Sequence, residues 1–145
     1  MTRLQDTFCR IRKSGKPGLV TYITAGDPDL DRTGGLLRTL DRAGADVLEV
    51  GVPFSDPLAD GPVIQRATER ALAAGTTLSG VLDLLRSMRG DISAPIVIFS
   101  YANPILRLGS EQFADRARQL VGEFPDSPCQ RALCTLTDLV TERDR

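Results

Sequence analysis

Residues 48–62 read LEVGVPFSDPLADGP. Leu48, Val50 and Val52 alternate with Glu49 and Gly51, the period of a β-strand. The alternation then breaks into a loop rich in Pro, Asp and Gly. In a sheet covered by helices, Leu48, Val50 and Val52 would pack beneath the helices. Val47, Glu49 and Gly51 would point to the opposite interior. A carboxylate held there loses hydration, the usual setting of a proton shuttle. Gly51 beside it leaves room for a ligand. The same pattern also fits an acid at a strand end, exposed or paired with an Arg.

Working outward, the chain alternates strands and helices. TRLQDTFCRIRKSG (2–15) places Leu4, Phe8 and Ile11 at helical spacing, with Gly15 as the stop. LVTYITA (19–25) is a strand by its β-branched content. Asp27 reads as the cap of the next helix, with Pro28 at its first position and Leu30, Leu37 and Leu40 on its apolar side. After the 48–62 stretch, Val63, Ile64, Ala67, Ala71 and Ala74 mark one helix. Leu78, Val81, Leu85 and Met88 mark another, capped by Thr76 or Thr77. APIVIFSY (94–101) is a third strand, and NPILRLGS reads as a loop before a helix holding Phe113, Ala117 and Leu120. Such alternation predicts crossover units and a parallel sheet. Three strands alone leave both sheet edges open. From about residue 120 the text has no strong strand, and it reads as a weakly helical or disordered tail over 120–145.

Composition narrows the function classes. The 145 residues are 41% hydrophobic and 26% charged, which fits a globular chain with a core. Net charge is −1, and Lys and Arg are scattered, so a nucleic-acid footprint is not expected. No apolar run approaches the ~20 residues of a membrane span, and no signal core is legible, so secretion is not expected. Three cysteines, no CxxC and no His disfavour a disulfide framework and a Cys/His zinc site. A reduced, cytoplasmic setting follows as the expectation. Without His, proton transfer falls to Asp, Glu, Lys, Tyr, Cys or water.

In a parallel sheet, ligands sit beyond the carboxyl ends of the strands. The three loops there are AGDPD, PFSDPLADGP and YANP, all polar and all holding Pro or Gly. Asp60, eleven residues after Glu49, can fold back over the strand end. Two carboxylates converging there could divide labour, one moving protons and one stabilising positive charge. On spacing alone, turn and helix-cap chemistry is the favoured reading of Asp56 and Asp60. Tyr22 and Tyr101 either face a pocket or fill the core.

Taken together, TYITAGDPD (21–29), AGADVLEVGVPFSDPLADGPVIQRA (43–67), ALAAGTT (71–77) and YANPIL (101–106) resemble the tryptophan synthase alpha subunit family over about residues 1–119. The resemblance implies the N-terminal part of a (β/α)8 barrel, about three parallel strands with covering helices and an extra N-terminal helix. It implies retro-aldol cleavage of indole-3-glycerol phosphate to indole and glyceraldehyde 3-phosphate, with no metal or organic cofactor in this subunit. It implies a beta-subunit partner, carrying pyridoxal phosphate, in an αββα complex. Carried onto this sequence, Glu49 matches the acid/base and Asp60 the carboxylate that binds the indole N–H. Tyr22 and Tyr101 stand at positions lining the indole pocket. Pro53, Phe54, Asp56 and Asn103 fall in loops that face the beta subunit.

A (β/α)8 barrel ordinarily takes ~250 residues. The barrel strands and Gly-rich phosphate loops that the family carries later have no counterpart legible in LVGEFPDSPCQRALCTLTDLVTERDR (120–145). The chain therefore reads as truncated or frameshifted, with impaired activity expected. A non-catalytic fragment that only docks to the beta subunit is the alternative.

Overall fold

The computed structural model describes residues 3–109, 111–113 and 115–116. Helix α1 (Arg3–Ser14) precedes strand β1 (Val20–Thr24), α2 (Leu30–Arg42) and β2 (Val47–Gly51). Helices α3 (Pro62–Ala73) and α4 (Leu78–Ser87), strand β3 (Ile96–Phe99) and α5 (Ala102–Leu108) follow. The strands form one parallel sheet in the order β1-β2-β3. This is the expected first part of a barrel wall. The expected tail over 120–145, with Ala117 and Leu120, lies outside the described residues. Among the described residues no helix is long and apolar enough to cross a membrane.

The alternation in β2 sorts the two faces as its sequence requires. Leu48 and Val50 are fully buried and Val52 nearly so. They join Leu37 of α2 and Val81, Leu85 and Met88 around α4 in one core. Gly34 lets the two helices approach, since a Cβ there would sit 3.4 Å from Leu84 and Met88. On the other face, Tyr22, Glu49 and Val97 share one register level, and Thr24, Gly51 and Phe99 the next. That face is more open: Val20 is 51% and Phe99 50% exposed.

Side chains pin the amino ends of the strands. Arg3 donates to the carbonyls of Ile92, at 2.7 Å, and Ser93. The Asp41 carboxylate accepts the amides of Ser93 and Ala94 at 3.0 and 2.8 Å. Asp46 accepts the Leu19 amide at 2.9 Å and pairs with Arg10 at 3.0 Å. Asp46 is held below the usual carboxylate range by the Leu19 N–H and then by Arg10, against some desolvation. For Asp41, burial would raise the value, but the Ser93 and Ala94 N–H groups and the Ser93 hydroxyl together lower it.

Several local expectations are corrected. Asp29, not Asp27, caps α2, its carboxylate accepting the Arg32 N–H at 2.7 Å. Asp27 is instead gripped by both arms of Arg70, at 2.8 and 2.7 Å. Thr77 caps α4 through Gly80 N–H, while Thr76 is buried. NPILRL is helical rather than a loop, because Pro104 falls in the first turn of α5, where an N–H has no helical partner. In α1 the inward stripe is Leu4, Thr7 and Ile11, leaving Phe8 50% exposed. Val63, in the first turn of α3, points outward, and Ala74 is exposed at its end.

Leu48→Ala should cost about 2–5 kcal/mol by urea unfolding, as a buried truncation without relaxation does. Val20→Ala on the open face should cost under about 1 kcal/mol. Equal losses would contradict the assignment of the faces. The lowered carboxylates set a pH dependence. Their stabilisation is full above the unfolded Asp value of about 3.9 and is lost as pH falls through their lower folded values. Thermal midpoints should therefore drop on acidification, and the acid limb should be shallower in Asp46→Asn.

Candidate functional site at the carboxyl ends of the strands

Strand β2 carries Glu49 half-buried on the open face, between Tyr22 on β1 and Val97 on β3. The expected room over Gly51 is taken. The Tyr22 phenol lies across it, so a Cβ at Gly51 would collide with the hydroxyl and sit 2.6 Å from Cζ. Gly51 thus accommodates a neighbouring aromatic rather than standing open. The Tyr22 pKa is raised, first by burial, with a hydrogen bond from Thr24 opposing and the charges of Asp60 and Glu49 adding to the rise. One phenol therefore feels both carboxylates, one on β2 and one on the loop that follows it.

The loop after β2 folds back by its own chemistry. Val52 N–H reaches the Phe99 carbonyl at 2.8 Å, continuing the ladder past the strand end. Leu58 N–H to the Asp56 carbonyl, 2.9 Å, and Asp60 N–H to the Pro57 carbonyl, 3.1 Å, close two tight turns. Gly61 and Pro62 then start α3 without a side-chain cap. Asp60 does not serve that helix. Its Oδ2 accepts the Tyr101 hydroxyl at 3.2 Å, while its carbonyl accepts Gln65 Nε2 at 2.8 Å. Asp56 is exposed and accepts the Ser55 hydroxyl at 2.8 Å.

The predicted residues divide into two groups. Glu49, Asp60, Tyr22 and Tyr101 gather at one strand-end site. Phe54 joins through its ring, 5.2 Å from that of Tyr101. Pro53 is buried in this chain, whereas Asp56 and Asn103 are exposed. A groove of about 250 Å³ runs between Phe54–Leu58 and the Gln65, Glu69 and Leu72 side of α3. Glu49 and Asp60 do not line it. Leu58 at its rim is 94% exposed. Sequence reasoning missed the Tyr22–Gly51 packing and the Tyr101–Asp60 hydrogen bond. A strand-end Gly beside an aromatic on the neighbouring strand is the signal for the first. The second joins residues 41 apart and leaves no local trace.

Comparison with known proteins points to one family. The tryptophan synthase alpha chain family matches residues 8–128. The tryptophan synthase alpha chain of Synechococcus elongatus is 50% identical over 148 aligned residues, covering 99% of this chain and 54% of the relative. That of Burkholderia thailandensis is 56% identical over 132 residues, covering 86% and 49%. Among solved structures, tryptophan synthase subunit alpha from Legionella pneumophila superposes with a TM-score of 0.76 at 44% identity, covering 82% of this chain and 46% of that one. An aminoacrylate-bound tryptophan synthase from M. tuberculosis gives 0.73 at 35% identity, covering 80% and 47%. The chain spans about half the length of the curated relatives it matches.

The chain has two tyrosines and no Trp, so phenol ionisation is easily followed by ultraviolet absorbance. One transition should lie above the ordinary value of about 10 and disappear in Tyr22→Phe. In Gly51→Ala, which evicts the ring, it should move back down. Because the folded value is raised, the neutral phenol's contribution is complete below about pH 10 and lost as pH rises through the folded pKa. An unchanged titration in Gly51→Ala would contradict the packing.

Proposed function

The chain belongs to the tryptophan synthase alpha chain family, and from that premise we propose that it carries the proton-transfer part of a carbon–carbon lyase site. The substrate is indole-3-glycerol phosphate and the products are indole and glyceraldehyde 3-phosphate. The observation that carries the reading is the convergence at the strand ends: Glu49 stands in register with Tyr22, and Asp60, held by Tyr101 just after β3, lies in electrostatic reach of the same Tyr22.

The reaction needs a proton delivered to indole C3 and another removed from the adjacent glycerol hydroxyl. Glu49 does both. Its protonated form gives the C3 proton, which leaves a cationic ring. Asp60, ionised, accepts the ring N–H and stabilises that positive charge. The Glu49 carboxylate then takes the hydroxyl proton as the C–C bond breaks. The bonding pair returns to the ring, and the hydroxyl carbon becomes the aldehyde. The face of Tyr22 supports the indole plane. Neither step calls for a metal or organic cofactor in this subunit, and its setting is the cytoplasm.

The partner in this reading is the tryptophan synthase beta subunit, whose pyridoxal phosphate chemistry consumes the indole in an αββα complex. Pro53, Phe54, Asp56 and Asn103 mark the side that meets it. The exposed Leu58 and Asp56 at the groove favour a second reading, in which the chain docks there without turnover.

Indole release from indole-3-glycerol phosphate, measured with and without the beta subunit, separates the two. Glu49→Gln should lower the rate about 10²–10⁴-fold with circular dichroism unchanged, the usual scale for losing a general acid/base. Asp60→Asn should also abolish turnover. Stimulation of the beta subunit that survives Asp60→Asn, with no indole release by the parent chain, would favour docking.

A further inference from the structure

We propose that Tyr101 is a positioning residue for Asp60: its hydroxyl fixes one carboxylate oxygen and the loop bearing it, and leaves the other oxygen for a ligand N–H. The family resemblance implies that Tyr101 lines the indole pocket. Its hydroxyl is also committed to the loop after β2. It donates to Asp60 Oδ2 at 3.2 Å and accepts the Ala59 N–H at 3.0 Å. One phenolic oxygen thereby satisfies a side chain and a backbone donor on consecutive residues. The ring completes the clamp by packing 5.2 Å from Phe54, at the start of the same loop.

The other end of the clamp is firm. Tyr101 follows β3 closely and occupies the N-cap position of α5. Ile105 and Leu108 of that helix pack against the core. The loop, by contrast, projects Leu58 at 94% exposure; its backbone closes two tight turns, and Gln65 holds the Asp60 carbonyl but not its carboxylate. Tyr101 thus transfers the rigidity of the strand and helix to Asp60. Since Oδ2 is the engaged oxygen, Oδ1 is the one that a ring N–H would reach. A carboxylate free to rotate would offer either oxygen and would lose that direction.

The inference rests on the reading of Asp60 as a ligand for an indole N–H, but the clamp itself can be tested separately. With two tyrosines, Cζ-labelled tyrosine gives two NMR signals, and Tyr101→Phe assigns them. Asp60→Asn should move the Tyr101 signal toward that of free tyrosine. In the full chain, Tyr101→Phe keeps the ring on Phe54 and should speed protease cleavage within residues 53–61. Titrated with indole, Tyr101→Phe and Asp60→Asn should each weaken binding about tenfold, the scale of one charged hydrogen bond. The double variant should be no weaker than Asp60→Asn alone. A Tyr101 signal indifferent to Asp60→Asn, or additive losses in the double variant, would overturn the proposal. If no form binds indole while the NMR and protease results hold, the clamp stands and the indole reading falls.

Discussion

Strand β2 is paired on both sides, and that constraint orders everything else. Its register to β1 and to β3 is fixed residue by residue, from Val20↔Val47 at one end to Gly51↔Phe99 at the other. A slip by one residue would turn Leu48 and Val50 out of the core and Glu49 into it. Burying an unpaired carboxylate among Leu37, Val81 and Met88 would cost several kcal/mol. Hydrophobic burial on one face therefore determines where the acid stands on the other. The position of Glu49 is a by-product of core packing.

The strand supplies position, and the loops supply direction. Glu49 is held by a ladder and needs no further support to face the space above the sheet. Asp60 sits in a loop, where backbone alone does not define the direction of a carboxylate. Its fixation comes from the neighbouring β3–α5 connection, through Tyr101. A comparable tie joins the β1–α2 connection to α3 by Asp27 and Arg70. These two strand-end loops are thus each anchored to a part of the chain outside themselves, beyond the ladder bonds that Ala25 and Val52 continue.

Element order and the sorting of the faces were legible in the sequence because both follow from local periodicity. LEVGV alternates, and Leu78, Val81 and Leu85 recur at helical spacing, so each pattern reports burial directly. Local rules failed where a side chain had two possible employers. Asp27 and Asp29 are both good caps, and the decision came from Arg70, forty-three residues away. NPILRLGS reads as a loop in the sequence, yet Pro104 lies where a helix tolerates Pro. The family resemblance supplied roles for Glu49 and Asp60 that no spacing rule could provide. It did not supply the contact between Tyr101 and Asp60, which exists only once β2 and β3 lie side by side.

The Tyr22–Gly51 pair shows why a strand-end glycine has two meanings. A missing side chain can leave space for a ligand or for a neighbour. Here the neighbour has taken it: the phenol crosses the strand and its hydroxyl lies over the Gly51 Cα. The ring stands in register with Glu49 on the open face and reaches along β2 to Gly51, so the strand end is covered by an aromatic of its own chain.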